Sequence, residues 1–471
     1  MSRILLAALL FTGCAAALRP ESSAHLAWRE CGGSLDCAEL EVPIDHSAPY
    51  GAKLALALAR RPAEKPAERI GVLIVNPGGP GISAIEHLRA GATRYGSAVR
   101  ERFDLVAFDT RGTGASSPLD CHDSLDGYLA ADPTPETDAE WAGAIAAARA
   151  FAEECARKHA ALLPFMSTRE SARDMDLVRA ALGEEQLNYL GFSYGTALGA
   201  SYASLHPERV RAMVLDGSIE PSNDLLTFAR EQAVAVEGAL SAYDAAAATK
   251  GWHGTDVLEA VTARAESRPI PGGGDPPRAA RASDVLYGSV EALVSPDRGW
   301  HELASALGAA QAGDGAPFVR LSDRYFQRDG DGPSALRVEA QLAVLCADLY
   351  VPASAEAYRE AIPELQQASP HIGVANLMSL LPCAFWVEPS EPPQALRADP
   401  GAPILVIAGS RDPLTPALWG VRLSERLGGS ARLDVESDVH TAYGRGGECT
   451  RGIVERLFIA RELPESPARC P

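Results

Sequence analysis

The tightest constraint in this chain is an apolar run, Leu187 to Phe192, that passes through Gly191-Phe192-Ser193-Tyr194-Gly195 into the small-residue stretch Thr196 to Leu205. The first part predicts a short buried strand and the second a helix. The G-x-S-x-G pentapeptide stands where the two meet. So sharp a turn strains the serine at the corner and crowds its neighbours, and only glycine fits two positions to either side. The serine hydroxyl is left exposed above the sheet, with N–H groups of the new helix aimed beside it. A glycine-flanked structural turn is the plainer reading, and the flanking strand and helix weigh against it.

The strand signal recurs at ELEVPID (39–45), KLALALARRP (53–62), GVLIVNP (71–77), FDLVAFD (103–109), VRAMVLDG (210–217), PILVIAG (403–409) and ARLDVE (431–436). Between them the period changes to that of helices. Residues 168–183 predict one helix, with Thr168 as N-cap and Gly183 as its stop, and another spans about Cys449 to Arg461. This alternation predicts an α/β fold with a mostly parallel sheet covered on both faces. From about Pro221 to Arg397 the alternation gives way to Ala-rich helical sequence, broken at PGGGDPP (271–277) and DGDGP (329–333). The economical organisation is a core in two parts, 28–221 and 398–471, interrupted by a helical cap over 222–397.

A serine hydroxyl is a poor nucleophile until a base removes its proton, and the base needs an acid to orient it. In folds of this kind the chain order is serine, acid, histidine. Of ten histidines, only His440 lies beyond PILVIAG. Asp412 follows that strand by three residues, in the loop where a sheet's carboxyl edge would present it. Asp434 lies within a strand and Asp438 is too near His440 to come from a separate strand end, so Asp412 is the expected acid. Asn76-Pro77-Gly78-Gly79-Pro80-Gly81 follows another strand, and its glycines let the backbone approach a reacting carbonyl. A loop N–H, Gly79 by preference, would pair with the Tyr194 N–H as an oxyanion hole. The loop has no lysine and no G-x-x-x-x-G-K-[ST] pattern, which disfavours a phosphate loop. Asp109 and Arg111, in DTRGTGAS, are expected to brace neighbouring loops. This chemistry calls for no metal and no organic cofactor.

The formal charge of −19 argues against a nucleic-acid partner, whose phosphates it would repel. Residues 1–20 carry Arg3 and a short apolar segment, Ile4 to Phe11, as an export signal does. Phe11-Thr12-Gly13-Cys14 resembles a lipoprotein box with Cys14 as the lipidated residue; ordinary cleavage among the alanines that follow is the alternative. Either reading exports the chain, with membrane contact only through a lipid on Cys14. Eight further cysteines suit an oxidising compartment. Their positions suggest Cys31 with Cys37, Cys121 with Cys155, Cys346 with Cys383, and Cys449 with Cys470, although eight cysteines permit 105 pairings.

NPGGPG, DTRGTGASSPLDC, LNYLGFSYGTALGASYA, VLDGSIEP, GSRDPLTP and Val439-His440 together resemble the secreted bacterial tripeptidyl aminopeptidases, in the prolyl-iminopeptidase-like branch of the α/β hydrolases. The resemblance covers 28–221 and 400–471 and implies an exopeptidase acting on peptides with a free N-terminus. It also implies a carboxylate in or near the cap for the substrate ammonium. Glu220 and Asp348 are the preferred candidates, followed by Glu339 and Glu388. The chain departs from relatives that carry Asp at the position of Glu220, and from prolyl iminopeptidases that carry His at the position of Pro77. An esterase using the same machinery, or a silent binding fold, is the competing expectation.

Overall fold

The computed structural model describes residues 26–471 except 92–93, 220–223, 274–276, 329–335, 353 and 446. The expected export segment with Cys14, the candidate Glu220 and the DGDGP turn lie outside the described residues. Among those described, the strands in chain order are β1 (Arg29–Glu30), β2 (Asp36–Pro43), β3 (Lys53–Arg61), β4 (Gly71–Asn76), β5 (Phe103–Phe108), β6 (Leu187–Phe192), β7 (Val210–Asp216), β8 (Ile270–Pro271), β9 (Ala279–Ala280), β10 (Ile404–Gly409), β11 (Ala431–Val435) and β12 (Ala468–Cys470). β8 and β9 form a small hairpin. The others make one sheet in the order β1-β2-β3-β5-β4-β6-β7-β10-β11-β12. β1, β2, β3 and β5 pair antiparallel in succession. From β5 to β12 every pair is parallel.

The sequences of the central strands explain this arrangement. β4 and β10 are buried along their whole length. Val72 and Ile74 of β4 pack into one core, while Leu73 and Val75 pack into another on the opposite face. Ile404 and Val406 of β10 are divided from Leu405 and Ile407 in the same way. This is the two-residue alternation of a strand covered on both sides. The helices Asp138–His159, Thr168–Ala181 and Tyr194–Leu205 cover one face, and Ala84–Gly91, Ser97–Arg102 and Gly447–Ala460 cover the other. The helix over 168–181 is capped one residue earlier than predicted, by Ser167, whose hydroxyl accepts the Glu170 N–H. The serine adopts the extended backbone an N-cap requires, which leaves Thr168 as the first helical residue.

Between β7 and β10 the chain is helical: Leu225–Ala248, Gly254–Ser267, Ala282–Leu293, Pro296–Ala312, Ala316–Phe326, Leu336–Asp348, Ala355–Ala368 and Gly373–Met378. This insertion has a core of its own around Leu240, Val261, Leu286, Leu303 and Phe318. Phe228, Leu342 and Leu377, by contrast, join the core beneath the sheet. Disulfides join Cys31–Cys37, Cys121–Cys155, Cys346–Cys383 and Cys449–Cys470. No helix among the described residues is long and apolar enough to cross a membrane.

Candidate active site

Ser193 sits at the end of β6 with φ 53° and ψ −125°, a conformation that costs a non-glycine residue on the order of 1–3 kcal/mol. The surroundings hold it there. Its N–H donates to the Asp216 carbonyl at 2.9 Å, and its own carbonyl accepts the Thr196 hydroxyl at 2.7 Å. The flanking glycines are needed for space. A Cβ on Gly191 would stand 2.3 Å from the Gly195 carbonyl oxygen, and one on Gly195 would stand 2.7 Å from that of Asn76.

The loop after β4 lies directly on this elbow. A Cβ on Gly78 would meet the Phe192 carbonyl oxygen at 2.6 Å, Ser193 Cβ at 2.8 Å and the Tyr194 nitrogen at 2.9 Å. Gly78 has φ 100° and Gly79 has φ 109°, values that favour glycine. The Gly78 N–H is taken by Asn76 Oδ1 at 3.0 Å. Among the described residues, the Gly79 and Tyr194 N–H groups have no such partner. Gly79 lines the cleft that also holds Ser193. Asp109 and Arg111 serve the scaffold: Asp109 accepts from Ser83, Ile85 and Ala115. The fully buried Arg111 is clamped on Asp174 at 2.8 and 2.7 Å.

Asp412, in the turn after β10, is buried. His440 Nδ1 stands 2.9 Å from its Oδ1 and 3.0 Å from its Oδ2. An ionised carboxylate can only accept, so Nδ1 carries the proton and Nε2 keeps its lone pair for the cleft. Burial alone would raise the Asp412 pKa. The positive charge His440 carries when protonated and its hydrogen bond, with the N–H groups of Thr415 and Leu414, outweigh it and hold the carboxyl below its ordinary value. Ser193 and His440 line one cleft of about 810 Å³, with no hydrogen bond yet between them, a contact that is often loose without substrate.

The helical insertion forms much of the wall opposite the elbow, through Phe228, Leu286, Tyr287 and Val290 among others. It touches the histidine directly: the His440 N–H donates to the Val294 carbonyl at 3.2 Å.

Of the expected ammonium-binding carboxylates, Asp348, Glu339 and Glu388 do not line this cleft, and Glu220 lies outside the described residues. The Asp348 carboxylate turns under the elbow helix and accepts the Thr168 N–H at 2.8 Å and the Thr168 hydroxyl, which also meets the Tyr194 hydroxyl at 2.7 Å. Desolvation pushes it up to about 6 against those bonds. Asp348 therefore braces the elbow helix from behind. Glu339 is fully buried beside His122, 3.0 Å away, and Glu388 is exposed elsewhere. Among the described residues, the acidic ones that line the cleft are Glu291 and Asp297. Ala-rich helical sequence gives such residues no distinguishing pattern, so only the packing of the insertion reveals them. Asp216 was also hidden in plain strand sequence, in VLDG. Its buried carboxylate accepts the Ala442 N–H at 3.0 Å and the Tyr443 N–H at 2.7 Å. Burial pushes this carboxyl up to about 6 despite those donors.

An elbow serine and a carboxylate-paired histidine, set at the carboxyl edge of a sheet in this order, place the chain in a class: it is a serine hydrolase of the α/β-hydrolase fold. Residues 71–251 match the alpha/beta hydrolase fold family, and residues 369–470 match the family of TAP-like proteins. The serine protease Hip1 of Mycobacterium tuberculosis is 32% identical, over 98% of this chain and 95% of that protein. The tripeptidyl aminopeptidase of Streptomyces lividans is also 32% identical, over 98% of this chain and 90% of its own. A protein named carboxylesterase B from Mycobacterium tuberculosis is 34% identical, over 92% of this chain and 86% of its own. The chain belongs to the tripeptidyl-aminopeptidase-like family of α/β hydrolases.

Proposed function

We propose that this protein is an exported serine exopeptidase that cleaves peptides near a free N-terminus. The observation that carries the reading is the Asp412–His440 pair facing the strained Ser193 in a cleft walled by the helical insertion. His440 Nε2 takes the Ser193 proton as Oγ attacks the substrate carbonyl, and Asp412 stabilises the imidazolium without taking a proton itself. The Gly79 and Tyr194 N–H groups receive the developing oxyanion. His440 then returns the proton to the leaving amine, and water hydrolyses the acyl-enzyme by the same route in reverse. The insertion acts as the cap, and Asp297 is the carboxylate within it that would meet a substrate ammonium, since Glu291 is already paired with Arg324. The names of Hip1 and of the tripeptidyl aminopeptidase support a peptide substrate. Export rests on the leading segment and on the four disulfides, which suit an oxidising compartment.

The second reading, a hydrolase of small esters, is favoured by the relative named carboxylesterase B. One comparison separates the two: a tripeptide chromogenic amide with a free N-terminus, its N-acylated twin and a short-chain ester, with Ser193→Ala as control. Selective cleavage of the free-amine peptide is the expected result. Fast ester hydrolysis with both amides intact overturns the exopeptidase and leaves an esterase.

A further inference from the structure

Arg94 and Arg445 line the same cleft as His440, and both are exposed. Their segments touch: a Cβ on Gly444 would lie 3.3 Å from the Arg94 carbonyl oxygen and 3.9 Å from Arg94 Cβ. The Arg94 side chain folds back over Gly91, where an added Cβ would meet Nε at 3.0 Å. Arg445 donates from Nη1 to the His440 carbonyl at 3.3 Å, which fixes it on the histidine side of the cleft.

What sets the two apart is the lack of an ion-pair partner in contact. Arg324 and Arg298, in the same cleft, pair with Glu291 at 3.2 Å and Glu302 at 3.3 Å. Neither Arg94 nor Arg445 has a carboxylate in ion-pair contact among the described residues. The chain has 62 acidic residues against 43 lysines and arginines, so carboxylates are not scarce. Arg445 feels the buried Asp216 and Asp412 carboxylates only at longer range, and the positive field reaches its neighbours. His87, which also lines the cleft, is pushed down to about 4 by its burial and by both arginines. Two guanidinium groups that line one cleft without ion-pair partners can take an anion, and a planar carboxylate is the group their donors match.

We infer that Arg94 and Arg445 form a subsite for a substrate carboxylate on the leaving-group side of the scissile bond. The side follows from chemistry, since His440 hands its proton to the departing amine and Arg445 is anchored to that residue. The inference rests on the peptidase reading. The carboxylate is the C-terminus of a short peptide or an acidic side chain just beyond the cleaved bond. A C-terminal carboxylate would make the enzyme selective for oligopeptides over internal stretches of protein chains.

The test uses the purified full chain and tetrapeptides that share their first three residues. One ends in a free carboxylate, one in the amide, and one is an amide with Asp in fourth place. The parent is expected to favour a carboxylate-bearing peptide over the plain amide by about tenfold in kcat/KM, as a charge-assisted contact would give. That ratio should fall to about twofold or less in Arg94→Gln and Arg445→Gln. The Asp peptide shows whether a side-chain carboxylate serves as well as a terminal one. Equal rates in the parent, or an unchanged ratio in both variants, overturn the subsite. A second readout needs no peptide cleavage: inhibition of p-nitrophenyl butyrate hydrolysis by N-acetyl-dialanine and by its amide. Stronger inhibition by the acid, lost in the variants, supports the subsite, and equal inhibition overturns it. Tetrapeptides left intact would instead count against the peptidase reading, with the ester assay still reporting on the arginines.

Discussion

The Asp216 carbonyl accepts the Ser193 N–H at 2.9 Å, while the Asp216 carboxylate accepts the N–H groups of Ala442 and Tyr443 at 3.0 and 2.7 Å. One buried residue at the end of β7 thus grips both the elbow and the loop that follows His440. Asp216→Ala should lower kcat by about 10²-fold with KM nearly unchanged, because a displacement of about 1 Å costs that much. It should also destabilise the fold by about 1–3 kcal/mol for each N–H left unpaired. Asp216→Asn keeps an acceptor oxygen and should recover part of both losses. Steady-state kinetics with thermal melts check this; parent-like turnover in Asp216→Ala would remove Asp216 from the positioning of the site.

Ser193→Ala should abolish turnover and leave the melting temperature close to the parent's or above it, since removing the hydroxyl touches no internal bond. Asp412→Asn is expected to cost about 10⁴ in kcat, because the amide stabilises the wrong imidazole tautomer. A loss below about tenfold would move the acid's role to another carboxylate.

Gly78→Ala places a methyl group 2.6 Å from the Phe192 carbonyl oxygen and 2.8 Å from Ser193 Cβ, at φ 100°. Neither neighbour can retreat without moving the elbow. The expected result is a loss of at least about 10² in kcat, together with a lower melting temperature. Gly127→Ala, inside the helix His122–Leu129 where nothing lies within 4 Å of the added Cβ, is the control that should leave kcat unchanged and should not lower the melting temperature.

Glu339 is fully buried 3.0 Å from His122, and burial raises its carboxyl to about 8 from an ordinary value of 4.5. With a raised folded-state pKa, its contribution to stability is full below about pH 4.5 and is lost as pH rises through about 8. Glu339→Gln removes that loss. Relative to the parent, the variant should gain more than about 1 kcal/mol between pH 5 and pH 8.5, since a tenfold change in proton affinity on folding is worth about 1.4 kcal/mol. Denaturant melts of both proteins across that range test the sign. Parallel curves would mean that Glu339 does not titrate with folding.

Much of the fold was legible because it is written locally. An apolar run such as GVLIVN or ILVIAG has to be a strand buried on both faces. A glycine pair around Ser193 has to mark a crowded turn, and chain order singles out His440. The pairing of eight cysteines was suggested by proximity alone and is joined in that pattern here. The N-cap at Ser167 in place of Thr168 shows the grain of such readings, since two neighbouring hydroxyls offer the same cap.

The carboxylates went otherwise. Asp348, Glu291 and Asp297 all belong to helical sequence of similar composition. Composition carries no record of which face a helix turns to its neighbour. Packing turned Asp348 onto Thr168 behind the elbow, and it brought Glu291 and Asp297 into the cleft. The same holds for Asp216, whose two attachments are to residues 23 positions before it and 226 and 227 positions after it. The sequence by itself determined the strands, the elbow and the order of its chemical groups, because these follow from short-range sterics and from burial of apolar runs. Only the tertiary structure decided which charges line the cleft. A charged side chain is accommodated wherever water or a partner is found, and that place is settled by the whole fold.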